Sequence, residues 1–450
     1  MIQRNDLSGV IDQDLCIACG ACVHADPSVK LELHPEKQIF EPTHASNADA
    51  ASVCPSVQVD FMGLQADLFP GQEPGPFGVI DQVMLAQSKD LDRNMKASSG
   101  GLIKELMIAL LERDDVDGII ALGHVAGLEF EPRVIADVDE VDTLPGSIYH
   151  NLPKDKVLSI LKQVEGRYVL VGIPCELEGI FQYIRTFQPE LRERIHSTIG
   201  LLCGWQYNYH ALRAICEFKG VDFDSLQNVS YRGGGPVGKL RLDTGDKVVE
   251  TSRRVDFGYQ VAFDRTFNTS RCHLCVNHSN FLADIVVGDA WLPSTVATRS
   301  GISLVIARTP AMTELVHDLA KADRLVVTDV TTDEIEESQT HRVAMGDFAY
   351  AYADYLDELG LHRPDMVGPN RDAATLVDRD EVEHFHSELG IKTALQRERR
   401  YKYLRFRKAT KELRRFLERY VRWFLVRILR IKSLTGKREE ISRSELSDFR

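Results

Sequence analysis

The strongest constraint on the fold is a row of three cysteines at two-residue intervals, in the segment Cys16-Ile17-Ala18-Cys19-Gly20-Ala21-Cys22. A tight loop of this spacing lets three thiolates face one set of irons, and its small residues let the backbone wrap the cluster and donate N–H groups to it. In ferredoxins with two clusters, a Cys-Pro pair follows three residues later and binds the other cluster. Here Asp26-Pro27 occupies that place, and the distant Cys54-Pro55 is the predicted source of the fourth ligand. We predict that Cys16, Cys19, Cys22 and Cys54 hold one 4Fe-4S cluster. The alternative is a zinc site, because C-x2-C pairs also bind zinc.

A second group of cysteines stands at predicted turns and strand ends in the middle of the chain. Cys272-His273-Leu274-Cys275 is a single C-x2-C pair, Cys175 follows the buried strand that ends at Gly172, and Cys203 closes another strand. Spacing alone leaves three alternatives open for these residues, namely a second cluster, a zinc site or unconnected core cysteines. Cys216 lies within a helical pattern, and we expect it to be a packed apolar residue.

The sequence patterns around these nine cysteines indicate a protein of a reducing compartment. The chain of 450 residues has no apolar run of about 18 residues, and its first residues lack the basic and apolar regions of a secretory signal. We therefore expect a cytoplasmic protein of two or three domains, in which clustered cysteines indicate metal or redox chemistry before disulfides. The formal net charge of −13 disfavours nucleic acid as a partner of the whole molecule.

Short buried-strand runs alternate with helical patterns through the middle of the chain, which favours an α/β fold, α+β overall, with helices packed on a mixed sheet. The predicted domains are a ferredoxin-like module over residues 1–62, with strands at Leu31–Leu33 and Gln38–Phe40, and a Pro/Gly-rich linker over 63–78. A flavin and iron–sulfur domain follows over 79–345, then a connecting segment over 346–390 and a basic helical tail over 391–450.

The tail reverses the charge of the rest of the chain. Residues 391–438 contain 18 Lys and Arg against three acids, whereas residues 1–390 contain 34 bases and 60 acids. Apolar residues recur at helical spacing from Leu404 to Ile431, so we predict a long amphipathic helix over 391–432. Such a helix fits an anionic membrane surface, on the inner face of the membrane, or equally a partner protein or the acidic body of the chain itself.

Three stretches of the chain resemble the coenzyme F-420 hydrogenase/dehydrogenase beta-subunit family, which includes 7-hydroxymethyl chlorophyll a reductase and bacterial proteins associated with glycan gene clusters. They are Ser98-Ser99-Gly100-Gly101, Val171-Gly172-Ile173-Pro174-Cys175, and Arg271-Cys272-His273-Leu274-Cys275 running on to Gly288-Asp289-Ala290-Trp291. The resemblance implies bound FAD, and it implies that a second 4Fe-4S cluster is held by Cys175, Cys203, Cys272 and Cys275. The segment from Tyr231 to Gly238 departs from many relatives because it lacks a tryptophan.

The resemblance also bears on candidate flavin contacts. A hydroxyl cap and two glycines before a helix make a phosphate cradle, although alone they are more typical of an ordinary helix N-cap. Relatives place a flavin beside this loop. The flavin candidates are Lys96, Ser98, Ser99, Gly100 and Gly101 in the loop, Asp284 and Asp289 on either side of a buried strand, and Arg232, Lys239 and Arg271 for phosphates or the reduced ring. No catalytic acid is identifiable, and His124, His150, His273 and His278 are available by residue type only.

These observations predict an iron–sulfur flavoprotein oxidoreductase. A ferredoxin-type donor would supply electrons through the clusters to FAD, and FAD would reduce an organic acceptor, either a deazaflavin coenzyme or a glycan-related molecule. Two alternatives are a non-catalytic electron-transfer subunit of a larger complex and a zinc-stabilised binding protein.

Overall fold

The computed structural model describes residues 6–235, 238–296, 298, 300–397 and 402–427. The chain divides into two compact units, residues 1–399 and 400–450, and each is described by itself. Part of the predicted loop after Arg232 (residues 236–237) and parts of the predicted tail helix (398–401 and 428–432) lie outside the described residues.

Helices and strands alternate through most of the larger unit. The helices are α1 Ser8–Asp12, α2 Ala21–Ala25, α3 Ala48–Ser52, α4 Phe61–Leu68, α5 Leu91–Lys96, α6 Leu102–Leu111, α7 Val138–Val141, α8 Lys156–Gln163, α9 Pro174–Phe187, α10 Tyr209–Lys219, α11 Phe257–Ala262, α12 Pro293–Val296, α13 Pro310–Lys321, α14 Thr332–Glu358, α15 Arg379–Arg397 and, in the smaller unit, α16 Lys402–Arg427. The strands are β1 Leu31–Leu33, β2 Phe40–Pro42, β3 Gln58–Asp60, β4 Gln82–Ser88, β5 Gly118–Ala126, β6 Glu129–Ile135, β7 Tyr168–Gly172, β8 Ile195–Leu201, β9 Asn228–Ser230, β10 Lys239–Asp243, β11 Val248–Ser252, β12 Ile285–Asp289, β13 Ser303–Ala307, β14 Leu325–Val330 and β15 Asp365–Val367.

An eight-stranded mixed sheet organises the larger unit, with the order β14-β4-β13-β12-β8-β7-β5-β6. Strands β12, β8, β7 and β5 run parallel, and their apolar residues are buried because helices cover both faces of the sheet. Helices α6 and α13 contribute to the core on one face, and α9 contributes to the core on the other. This confirms the predicted α/β fold, and it brings the carboxyl ends of the parallel strands to one edge, where ligands bind in such sheets.

The first module contains a short antiparallel hairpin in which Leu31 pairs with Pro42. Its second strand was predicted at Gln38–Phe40 but is β2, Phe40–Pro42. The shift has a backbone cause, because Gln38 has a positive φ of 57° and forms part of the turn. The carbonyl of Gln38 then accepts a hydrogen bond of 2.9 Å from the backbone N–H of Tyr209, which ties the module to the larger domain.

The segment predicted to connect the domain to the tail packs back on the first module. Strand β15 pairs in parallel with β3, so that Asp365 lies opposite Gln58. Helix α14 and the following residues share a core with the first cysteine loop, and that core includes Tyr352, Ala353, Leu356 and Val382. Residues 346–390 therefore form one wall of the first module in addition to linking two regions.

Two helices occupy the region where one tail helix was predicted. Helix α15 begins at Arg379, ahead of the predicted start, and α16 covers Lys402–Arg427. Within the described part of the chain, none of the helices combines the length and the apolar character needed to cross a membrane.

Candidate functional site

The first three cysteines lie on a loop whose backbone conformation depends on small residues. Ala18 has a positive φ of 57° and Gly20 one of 81°, and helix α2 begins directly after Gly20. A side chain at position 20 would overlap the backbone of Asp155, because an added Cβ would lie 2.3 Å from the Asp155 Cα. The loop therefore requires glycine for its left-handed turn and for its close approach to the body.

Cys16, Cys19, Cys22 and Cys54 line one buried cavity. Backbone N–H groups approach their sulfurs, and that of Ala18 donates to Cys16 Sγ at 3.3 Å. Burial raises the pKa of all four thiols, to about 11 for Cys54 and about 12 for Cys19. A metal centre that binds these cysteines as thiolates would displace their protons.

The second group of four cysteines also converges. Cys175 lies in the first turn of α9, directly after β7, and Cys203 follows β8, so both lie at the carboxyl ends of parallel strands. Cys272 lies in a short 3-10 helix, Ser270–Leu274, and Cys275 is the residue directly after it. Cys272 Sγ accepts a hydrogen bond of 3.2 Å from the Gln206 N–H. Burial raises the pKa of all four thiols, and the thiols also influence one another electrostatically.

Each group offers four thiols, a donor set of the kind that binds zinc or an iron–sulfur cluster. Within the described residues, no group of three or more His, Cys, Asp or Glu side chains is arranged to hold a single metal ion. In a 4Fe-4S cluster each thiolate binds a different iron, so the four sulfurs need not meet at one point, and N–H groups directed at sulfur are typical of its surroundings. The first and second quartets, defined as Cys16, Cys19, Cys22, Cys54 and Cys175, Cys203, Cys272, Cys275, fit clusters in these respects.

Helix α9 joins the two quartets. It carries Cys175 of the second quartet in its first turn, and one turn later Gly179 packs against Cys19 of the first quartet. A Cβ added at Gly179 would lie 2.7 Å from Cys19 Sγ. Because four residues of helix rise by about 6 Å, the two quartets are neighbours on one rigid element.

A buried polar group also lies between the quartets. Glu178 is fully buried, accepts a hydrogen bond of 2.9 Å from Asn277 Nδ2, and forms an ion pair of 3.7 Å with Arg271. Burial raises the pKa of Glu178, against the opposing effects of Arg271 and Asn277. The Arg271 guanidinium donates to the carbonyls of Leu274 (2.5 Å) and Pro55 (3.3 Å), which belong to the loops of the second and first quartets respectively.

The predicted flavin loop lies at the carboxyl edge of the sheet. Helix α6 is capped by Gly101, with a φ of 78° and no side-chain hydrogen bond, so neither predicted serine caps it. Ser99 instead contacts Ser303 Oγ at 2.6 Å, and the Gly100 N–H donates to the same oxygen at 2.9 Å. Ser98 contacts the hydroxyl of Ser147 at 2.7 Å. The N-terminus of α6 therefore has no side-chain cap, and one amide of the loop is already used by the protein.

This loop adjoins the segment that follows β9. The carbonyl of Met95 accepts hydrogen bonds of 3.0 Å from the N–H groups of both Gly234 and Gly235. Two predicted flavin contacts meet nearby, since Arg232 Nη1 lies 2.6 Å from Asp289 Oδ2 at the end of β12. Lys96 is exposed and pairs with Asp92 on its own helix.

Two further arginines extend the charge around Arg232 and Asp289. The pKa of Arg342 is lowered, chiefly by burial, and that of Arg232 is raised because Asp289 and Tyr149 outweigh its burial. Arg253 donates to the Tyr259 hydroxyl at 2.8 Å and also faces the Tyr149 ring. The Nε atoms of Arg232 and Arg342 are buried without a hydrogen-bond partner. Three guanidinium groups beside one carboxylate favour an anionic ligand.

Other predicted flavin candidates lie apart from this arginine group, defined as Arg232, Arg253 and Arg342. Asp284 precedes the opposite end of β12, where it accepts hydrogen bonds of 2.8 Å from the backbone and hydroxyl of Thr198. Burial raises the pKa of Asp284. Arg271 lies between the quartets, and Lys239 pairs with Glu250 on the three-stranded sheet.

The four candidate histidines have structural contacts. His150 Nδ1 lies 2.6 Å from the Tyr231 hydroxyl, and burial lowers the pKa of His150 to about 3. His278 Nδ1 lies 2.7 Å from the Cys203 carbonyl. His124 is near the Gly127 carbonyl, and the His273 ring contacts Phe385. Each of these contacts is made with the protein's own backbone or side chains.

A small cavity of about 40 Å³ adjoins the second quartet. Its lining includes His278, Gln339, Arg342, Asp347 and Asn370. A cavity of this size with a partly polar lining has room for a few water molecules.

Sequence reasoning missed several residues of the site. Glu178 and Gly179 follow Cys175 by three and four positions, so helical spacing after a ligand cysteine was an available signal. Arg253 and Arg342 carry no comparable signal, because they come from a strand end and a distant helix that only the tertiary fold brings together.

Comparisons with known proteins find similarity to one protein family. A family described as coenzyme F420 hydrogenase/dehydrogenase, beta subunit, matches through its N-terminal part at residues 83–159 and through its C-terminal part at residues 165–333. A subunit of the F(420)H(2) dehydrogenase of Methanosarcina mazei is 24% identical over 315 residues, which are 66% of this chain and 82% of that protein. The beta subunit of the coenzyme F420 hydrogenase of Methanothermobacter thermautotrophicus is 26% identical over 238 residues, which are 50% of this chain and 78% of that protein. A chain of the F420-reducing [NiFe] hydrogenase complex from Methanosarcina barkeri aligns with a TM-score of 0.49 and 19% identity, covering 65% of this chain and 97% of that one.

Proposed function

Because the chain belongs to the coenzyme F420 hydrogenase/dehydrogenase beta-subunit family, whose two matched regions together span more than half of it, we propose that it is an iron–sulfur flavoprotein oxidoreductase. It would take electrons from a ferredoxin-type donor and pass them through two 4Fe-4S clusters and FAD to an organic acceptor. Clusters carry single electrons, and a flavin converts them to two-electron chemistry. The observation that carries this proposal is helix α9, which contacts both cysteine quartets within one turn.

The chain's own residues have distinct parts in this proposal. The two quartets supply eight thiolates in buried loops, and α9 holds the loops at a constant separation. The arginine group beside Cys203 would hold a flavin phosphate, the anionic reduced ring or an anionic acceptor. Lys96, Ser98, Ser99, Gly100 and Gly101 remain the proposed loop beside the flavin, together with Asp289.

The cofactor content of the anaerobically purified full chain tests the proposal. We expect about eight irons, eight sulfides and one FAD per chain after reconstitution, because each quartet would hold one 4Fe-4S cluster. About two zinc ions and no flavin would instead indicate a zinc-stabilised binding protein. Iron without FAD would support only the electron-transfer part of the proposal.

The acceptor is proposed from the relatives' names and from the arginine group. Relatives are named for coenzyme F420, so a deazaflavin coenzyme is one acceptor to assay, and a glycan-related molecule is the other. Flavin-dependent reduction of either by the isolated chain supports an enzyme. Electron uptake with no such reduction supports a non-catalytic subunit docked on a catalytic partner, as the relatives' designation as subunits also suggests.

Helix α16 provides a proposed peripheral contact with an anionic membrane surface. It contains ten Lys and Arg residues against two Glu residues. Phe406, Leu413, Leu417 and Tyr420 recur at helical spacing, and their side chains are exposed. An apolar stripe beside dense positive charge is typical of helices that lie in the interface of anionic membranes.

Replacing Leu413 and Leu417 together with glutamate is expected to abolish sedimentation of the full chain with phosphatidylglycerol vesicles. The double substitution removes apolar contact and adds negative charge on the same stripe. Leu376→Glu is the control, because this exposed leucine lies in the larger unit. Binding that persists in the double variant, or that is equal on neutral phosphatidylcholine vesicles, would contradict the membrane proposal.

A further inference from the structure

We propose that Arg271 is a cation shared by the two cysteine quartets, that it sets the redox potentials of both clusters together, and that Glu178 and Asn277 position it. This inference rests on the proposed function, since it requires a cluster in each quartet. It concerns a positioning residue rather than a catalytic one.

The contacts of Arg271 reach both quartets. One nitrogen of its guanidinium donates to the carbonyl of Leu274, which stands between the second-quartet ligands Cys272 and Cys275, at 2.5 Å. The other nitrogen donates to the carbonyl of Pro55, the neighbour of the first-quartet ligand Cys54, at 3.3 Å. A single planar group thus connects the two ligand loops.

Burial makes this charge effective at both sites. Arg271 is 2% exposed, so water screens its charge little. Its nearest carboxylate, on Glu178, is 3.7 Å away and belongs to α9, the helix that touches both quartets. Asn277 Nδ2 holds the other oxygen of that carboxylate at 2.9 Å. The ion pair therefore fixes the guanidinium at one place between the ligand loops.

Arg271 lies where the charge of a reduced cluster would be felt, because its guanidinium bonds to one ligand loop of each quartet. Reduction adds one electron and one unit of negative charge to a cluster without forming or breaking a bond. A buried cation beside the cluster therefore favours the reduced form. Removing the cation should therefore make both midpoint potentials more negative.

Arg342 provides a matched comparison at one site. Its guanidinium atoms Nε and Nη2 both lie 3.9 Å from the position of a Cβ on Gly204, which is the neighbour of Cys203. It should therefore act on the second cluster. Arg113 provides the remote control, since it is half-exposed and pairs with Asp115.

The test is a redox titration of the reconstituted full chain followed by electron paramagnetic resonance, with Cys54→Ala and Cys275→Ala used to assign the signal of each cluster. We expect Arg271→Gln to shift both midpoints to more negative values. Arg342→Gln should shift only the second, and Arg113→Gln neither. Arg271→Lys retains the charge and should stay close to the unmodified chain.

Several results would overturn the inference. One such result is a change in the midpoint potential of only one cluster, or of neither, in Arg271→Gln. Another is an equal change in Arg271→Lys, because it would mean that packing and not charge sets the potentials. If Arg271→Gln fails to bind iron, Glu178→Gln is the variant to test in its place. Loss of the carboxylate that opposes Arg271 should move the midpoint potentials of both clusters to more positive values. Unchanged midpoint potentials in Glu178→Gln would contradict the proposal. Absence of iron from the unmodified chain would instead refute the proposed function.

Discussion

Replacing Cys54 with alanine is expected to lower the iron content of the reconstituted chain from about eight to about four atoms. Cys54 is the only ligand of the first quartet that comes from outside the tight loop at residues 16–22, so its removal opens that cluster to loss. The second quartet keeps all four cysteines and should keep its cluster. Iron and sulfide assays, together with the electron paramagnetic resonance spectrum, measure the change.

The same variant should lose reduction by a ferredoxin-type donor, while dithionite still reduces the remaining cluster. Cys216→Ala is the matched control, because Cys216 is also buried but lies on helix α10 among apolar residues. It should retain about eight irons. Loss of all eight irons in Cys54→Ala, or retention of all eight, would contradict the assignment of two independent quartets.

Replacing Gly179 with alanine is expected to have the second large effect, through a single methyl group. The added Cβ would lie 2.7 Å from Cys19 Sγ and 3.0 Å from Cys19 Cβ, closer than van der Waals contact allows. A sulfur that binds iron cannot rotate away, so helix α9 and the first ligand loop must separate. We expect the stability of the chain to fall by about 1–3 kcal/mol and the first cluster to be lost preferentially.

Chemical denaturation of the reconstituted chain, with an iron assay on the same samples, checks this expectation. Gly390→Ala is the control, because Gly390 lies in helix α15 with no heavy atom near its added Cβ. That change should be neutral or stabilise the chain by about 0.5–1 kcal/mol. Equal behaviour of the two alanine variants would show that α9 does not hold the quartets together.

Part of the site could be predicted from local spacing. The cysteines at positions 16, 19 and 22 lie within a single loop, and small residues between them are a local requirement that a sequence displays directly. The buried strands of the sheet were equally visible, because continuous apolar runs are typical of parallel strands covered on both faces. The boundary of β2 was missed, because the positive φ of Gln38 leaves no signal in its side chain.

Other features depend on contacts between distant segments. Arg271 reaches Pro55 across more than two hundred residues, and no periodicity relates the two positions. The arginine group likewise joins a loop after β9, the end of β11 and helix α14. The candidate flavin residues show the same limitation, since Asp284 and Asp289 flank one strand and therefore lie at its opposite ends.

The sequence by itself determined the cysteine spacing from which the clusters are proposed, the α/β class and the separation of an acidic body from a basic tail, because each depends on residue type and short-range spacing. Only the tertiary structure decided that the two quartets are neighbours, that one helix turn separates them, and that a buried ion pair lies between them. The physical reason is that these contacts join residues far apart in the sequence, which meet only because the central sheet and α9 bring their loops together. The role of a buried glycine or arginine can be assigned only when its neighbours in the folded chain are known.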